Sequence, residues 1–164
     1  MALVIGVTGS IASGKSTACK LLESQGAVYC DADKLVHQMY DPGKPAFYRI
    51  VDEFGEKVVG ADGYIDRKIL GSKVFGNPKS MERLTTAIGD IKQEVTGVMV
   101  EWRDNLSTDD IGLMEAVNFV EAGYGNYSDL TWLFAVETDT AVKRLMNRNA
   151  LSEKDAHKRM ASQK

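Results

Sequence analysis

The run Gly9-Ser10-Ile11-Ala12-Ser13-Gly14-Lys15-Ser16, followed by Thr17, has the residue types and spacing to hold phosphate groups. It is a glycine, four residues, then Gly-Lys-Ser. The glycines let the backbone wrap until its N–H groups point at phosphate oxygens, and a helix that follows adds its positive end. Lys15 supplies a point charge for the β- and γ-phosphates of a nucleoside triphosphate, and the Ser16 hydroxyl a ligand for Mg²⁺. A tight glycine turn with a solvated lysine would use the same letters. What separates the two is a strand before the loop and a helix after it.

Both elements are expected from the pattern. Leu3 to Val7 is a short, wholly apolar run, as in a strand covered on both faces. Gly14 to Glu23 has helical spacing, with Ala18, Leu21 and Leu22 on one stripe and Gly26 as its stop. Ala27 to Cys30 is a second strand closing at Asp31, so the three form a βαβ unit with parallel strands. Helices are expected over Asp33 to Tyr40, Pro45 to Phe54 (apolar at Phe47, Ile50, Val51 and Phe54), Asp66 to Phe75 and Ser80 to Asp104. Gly55 to Gly63 is rich in turns. Ile111 to Val117 and Leu130 to Val136 are further strands, and Thr138 to Arg148 and Ser152 to Ser162 closing helices. The expected fold is α/β: a three-layer P-loop nucleotide-binding fold with a parallel sheet. It forms one domain, with a core at about 1–32 and 105–164 and a helical insertion at about 33–104. The stretch of about eighty residues between the second and third strands is far longer than an ordinary loop and suits a second ligand at the mouth of the sheet.

Other residues add chemistry. Strand ends in a parallel sheet converge on the ligand crevice, so Asp31 and Asp33 emerge beside the loop. One can accept a hydroxyl proton and the other can orient water on Mg²⁺, although Asp at a helix start also serves as a cap. Arg144 and Arg148 stand one helical turn apart after the last strand, where a lid would close over the phosphates; a solvated helix face is the plainer alternative. His37 is one turn beyond Asp33, on the same face. It could reach an acceptor's phosphates or simply pack. A switch-type GTPase is excluded: no N-K-x-D occurs, and Asp109-Asp110-Ile111-Gly112 enters a strand instead of leaving one.

Composition narrows the class. With 20 Lys and Arg against 23 Asp and Glu, a net charge of −3 leaves no basic footprint for nucleic acid or an anionic membrane. Cys19 and Cys30 have no metal-ligand spacing and read as reduced thiols in a cytosolic protein. MALVIGVTG lacks a basic region and has too short an apolar run for a signal peptide, and no segment approaches the ~20 apolar residues of a membrane span. The location expected is cytoplasmic.

Several stretches together resemble the dephospho-coenzyme A kinase family: TGSIASGKST, DADKLVHQ, PGKPAFYRIVDEFG, DRKILGSKVFGNP, the Glu121-Ala122-Gly123 triplet, RLMNRNALS and RMASQ. The resemblance spans nearly the whole chain. It implies ATP-dependent phosphorylation of the ribose 3′-hydroxyl of dephospho-coenzyme A, with ATP and Mg²⁺ and a small-molecule acceptor. It implies Asp33 as catalytic base, Thr8 beside the reacting centre, the acceptor on the insertion side, and Arg144 and Arg148 as lid arginines. Two departures touch the acceptor side. The family's His-Pro pair reads Gly89-Asp90, and its Pro-Leu-Leu-Phe-Glu run reads Val117-Asn118-Phe119-Val120-Glu121. Family members also continue beyond the R-x-x-x-Q stretch to another strand and helix that help hold adenine, whereas this sequence ends at Lys164. If that strand has been lost, the fourth strand is expected to be an open edge that permits self-association. A kinase with a different hydroxyl acceptor, and a nucleotide-binding protein without turnover, remain alternatives.

Overall fold

A computed structural model describes residues 1–161. The end of the expected last helix, at Ser162, lies outside the described residues. The elements in chain order are β1 (Leu3–Gly9), α1 (Lys15–Ser24), β2 (Val28–Asp31), α2 (Ala32–Met39), α3 (Pro45–Phe54), α4 (Arg67–Val74), α5 (Pro78–Ile88), α6 (Ile91–Asn105), β3 (Ile111–Glu115), β4 (Leu130–Phe134), α7 (Thr138–Asn149) and α8 (Glu153–Ala161). Short 3₁₀ turns occupy Glu56–Val58 and Tyr124–Tyr127. The chain divides into two compact units, Met1–Asp31 with Thr96 onward, and Ala32–Val95.

The first unit is built on a parallel sheet of order β2-β3-β1-β4. β1 lies between two neighbours, and its residues from Val4 to Val7 are buried. Ile5 and Val7 pack with Leu113 and with Cys19 of α1 on one face. On the other face the glycines admit rings. A Cβ at Gly6 would run into the Phe119 ring, and one at Gly112 into the Trp102 indole of α6. Large rings thus take the place of side chains on the strands themselves. The buried residues of α1 are Lys15 and Cys19, while Leu21 is 60% exposed, so the expected Ala18–Leu21–Leu22 stripe is rotated. α1 ends in a two-bond cap: Ala27 N–H donates to Leu22 O (3.1 Å) and Gly26 N–H to Glu23 O (3.0 Å), with Gly26 at φ 107°.

The second unit has its own apolar core, in which Ile50, Phe54, Val58, Leu70, Val74 and Ile88 meet. The expected single helix over Ser80 to Asp104 is two, α5 and α6. Gly89 (φ 111°) breaks it, and Arg49 caps the free end through Nε to Ala87 O (2.7 Å) and Nη2 to Ile88 O (3.3 Å). Gly97, by contrast, sits inside α6 without interrupting it.

β4 joins β1 through a side chain before its own ladder begins. Asp129 Oδ2 accepts from Val4 N–H (2.8 Å), Asp129 N–H donates to Val4 O (2.8 Å), and Arg103 Nη2 donates to Oδ1 (3.0 Å). The Val4 N–H, seconded by the Arg103 guanidinium, holds the Asp129 carboxyl below the usual carboxylate range. A carboxyl whose pKa folding depresses contributes stability above its unfolded pKa and loses it as pH falls through the lowered value. Asp129→Asn should therefore lower unfolding stability at pH 7 by about 1 kcal/mol, a modest figure because the group is partly solvated. The gap from the parent should start to narrow as pH falls below about 4 and close only below the lowered folded value, where the parent's native carboxyl is protonated too. Denaturant melts at several pH values check both.

Candidate active site

The loop between β1 and α1 is shaped by its glycines and by what packs behind it. Gly9 has φ 139° and passes so close to β4 that a Cβ would run into the Phe134 carbonyl oxygen. Gly14 takes a left-handed conformation at φ 99° and starts α1 without any side-chain cap, so the first-turn N–H groups of α1 face the loop's mouth. Ala12 is also left-handed, at φ 60°. It and Ile11 pack against Val142, Leu145 and Ala156, so the α7–α8 pair is seated on the loop through the loop's own apolar middle.

The polar groups converge from several elements. Lys15 Nζ donates to Gly9 O and Ser10 O, both at 2.8 Å, which folds the ammonium over the loop. Ser13 Oγ is buried and has no hydrogen-bond partner among the described residues. An orphaned hydroxyl in a loop of this shape is what a phosphate oxygen would satisfy. Arg144 Nη1 donates to Ala12 O at 2.9 Å and is the atom nearest to a Cβ built on Gly14, at 3.9 Å. Arg148, one turn on, bonds Asn149 Oδ1 through Nε (3.1 Å). Both arginines are exposed, and of the two Arg144 reaches the loop.

Ser16 leads to a residue that the sequence reading missed. Its Oγ donates to Glu115 Oε1 at 2.8 Å, and Glu115, at the carboxyl end of β3, is 7% exposed. The second oxygen, Oε2, accepts from the Tyr29 hydroxyl at 2.6 Å. Because Glu115 takes the Ser16 proton, the serine's lone pairs are left for a cation. Among the described residues there is no cluster of three or more His, Cys, Asp or Glu side chains able to hold a metal alone. Mg²⁺ is commonly held by one or two protein groups together with substrate phosphates. Ser16, Glu115, Lys15 and the orphaned Ser13 hydroxyl therefore fit a magnesium nucleotide. The signal for Glu115 was a lone acid ending the apolar run IGLME.

Burial, then hydrogen bonding to and charge on Glu115, push the Tyr29 phenol far above its ordinary pKa. Burial first, with the Glu115 and Asp31 charges, pushes the Cys19 thiol up to about 12; burial, then Asp31, pushes Cys30 up to about 11. Both thiols are free.

Thr8 is buried, its hydroxyl donating to Val117 O at 2.9 Å. Asp31 ends β2 in register with Glu115. Asp33 is exposed in the first turn of α2. In the second unit Arg67 Nη1 lies 2.9 Å from His37 Nδ1 and 3.1 Å from Nε2, and the His37 ring meets Tyr40 edge-on.

A parallel sheet with a glycine loop running from the central β1 into α1, a lysine folded over it and a buried acid behind its serine defines a P-loop nucleotide-binding protein. Residues 3–164 match the dephospho-CoA kinase family model, and the chain belongs to that family. It is 37% identical over 164 residues to a dephospho-CoA kinase of Streptococcus pneumoniae, covering 99% of this chain and 80% of that protein. It is 38% identical over 161 residues to one of Geobacter sulfurreducens, covering 98% and 81%. A crystal structure from Thermus thermophilus superposes with a TM-score of 0.77 at 28% identity, covering 99% of this chain and 81% of the other. The dephospho-CoA kinase of Campylobacter jejuni gives 0.60 at 27%, covering 98% and 79%. Among the described residues no helix is long and apolar enough to cross a membrane.

With the thiol pKa values raised so far, native Cys19 and Cys30 should react with iodoacetamide at pH 8 at least about 100-fold more slowly than free cysteine, since the thiolate is the nucleophile. Both should label promptly once the chain is unfolded in denaturant.

Proposed function

We infer that the chain transfers the γ-phosphoryl group of ATP to dephospho-CoA, giving coenzyme A and ADP. The observation that carries this reading is the Ser16–Glu115 pair set beside the Lys15 loop, in a chain of this family. In the proposed reaction the acceptor's ribose 3′-hydroxyl oxygen bonds to the γ-phosphorus. The bond from that phosphorus to the β,γ-bridging oxygen breaks, ADP leaves, and the hydroxyl proton passes to a carboxylate. Asp33 is proposed as that carboxylate. It follows the end of β2 by two residues and is exposed to accept a proton. Such a general base commonly contributes roughly 10²–10⁴-fold.

The loop N–H groups, the first turn of α1, Ser13 and Thr17 would bind the phosphates, with Lys15 on the β- and γ-oxygens. Ser16 would hold Mg²⁺, with Glu115 keeping the serine's proton turned away from the metal. Held there, Mg²⁺ would supply positive charge to offset the negative charge that builds on the phosphates during transfer. Arg144, already against the loop, and Arg148 would add cations from the α7 side. Thr8 would keep the end of β1 fixed beside the reacting centre, and Asp31 and His37 would face the acceptor.

Asp33→Asn should lower kcat by roughly 10²–10⁴ while the calorimetric Kd for ATP stays within about twofold. Unchanged turnover would remove Asp33 from the role of base. Lys15→Ala should weaken ATP binding as well as turnover, because its charge meets the nucleotide in the ground state.

A further inference from the structure

We propose that Tyr29 is a positioning residue for phosphoryl transfer: its hydroxyl fixes Glu115 so that the other carboxylate oxygen stays on Ser16. The proposal rests on the reading of Ser16 as the Mg²⁺ ligand.

β2 and β3 are parallel neighbours, with Tyr29 opposite Leu113 and Asp31 opposite Glu115. Residues two apart share a face, so Tyr29 and Glu115 point to the same side of the sheet, the side on which Cys19 of α1 packs. The phenol is long enough to cross the offset, and its oxygen meets Glu115 Oε2 at 2.6 Å. The carboxylate is then held at both oxygens by hydroxyls from two different elements, Tyr29 on β2 and Ser16 on α1.

A glutamate has three side-chain torsions, and an acid at a strand end would ordinarily turn toward solvent. Here it is buried, and Tyr29 supplies the bond that makes the inward rotamer the satisfied one. With phenylalanine at 29, Oε2 would be a buried acceptor without its donor. The carboxylate would rotate or recruit water, and Ser16 Oγ would lose the group that takes its proton. A serine free to turn its hydrogen toward the metal is a poorer ligand. The ring of Tyr29 also packs against the Ile5–Val7–Cys19–Leu113 cluster, so a purely structural role is the competing account.

Calorimetric titration with a non-hydrolysable ATP analogue, with Mg²⁺ and then in EDTA, separates the two. Ser16→Ala should abolish the advantage that Mg²⁺ gives to nucleotide binding. Tyr29→Phe should raise the Kd of the magnesium complex about 10-fold while leaving the metal-free Kd unchanged, which also shows that the loop is intact. In a Glu115→Gln background Tyr29→Phe should add little, because the contact it removes is already altered. An equal loss with and without Mg²⁺, or the same loss in both backgrounds, would overturn the proposal and leave Tyr29 a packing residue. If Ser16→Ala leaves the Mg²⁺ dependence untouched, the metal reading itself fails and the proposal falls with it.

Discussion

The first unit is organised around one buried carboxylate. Burying Glu115 at the end of β3 is costly unless its oxygens are hydrogen-bonded, and the two bonds it has come from β2 and α1. Those partners can be in place only if β2 pairs with β3 in the observed register and α1 lies across that face of the sheet. A one-residue slip of β2 would turn Tyr29 to the opposite face. The same carboxylate accepts the Ser16 hydrogen bond, which in the proposed reading leaves the serine's lone pairs for the metal. Burial, register and the serine's chemistry are thus one constraint seen from three sides.

The loop obeys a second constraint, of space. Gly9 must be glycine because β4 runs against it, and the left-handed turns at Ala12 and Gly14 bring the chain round to start α1 uncapped. The side chains of Ile11 and Ala12 seat α7 and α8. The helix carrying Arg144 is therefore packed on the element it would serve, and a change in the loop's shape has a direct mechanical route to that arginine. Arg148 has no such anchor at the loop, and its role rests on its spacing from Arg144.

The strand–loop–helix that carries the proposed phosphate site was legible in the sequence because it is local: glycines, lysine and serine stand within eight residues, directly after an apolar run. The βαβ unit, the parallel sheet and nearly all helix positions followed from period and stop signals. What was not legible depends on three-dimensional pairing. Glu115 passed unremarked inside the expected strand Ile111 to Val117, because its partners come from residues 86 and 99 positions away. The buried face of α1 was misplaced because Lys15, a charged residue, shares it with Cys19. β4 lies at the sheet edge with Leu133 73% exposed, the open edge that the sequence reading raised for the fourth strand. Gly89 and Gly97 both stood out inside the expected helix, and which of them breaks it was not legible, because the cap that ends α5 comes from Arg49 on another helix.

The most direct measurement of the central claim is the identity of the product. The chain is incubated with Mg-ATP and dephospho-CoA, and the products are resolved by mass spectrometry and phosphorus NMR. The account predicts a product one phosphoryl group heavier than the acceptor, carrying it on the ribose 3′-oxygen, with one ADP formed per product. Phosphate released only to water, or a phosphoryl group on any other oxygen, would contradict it.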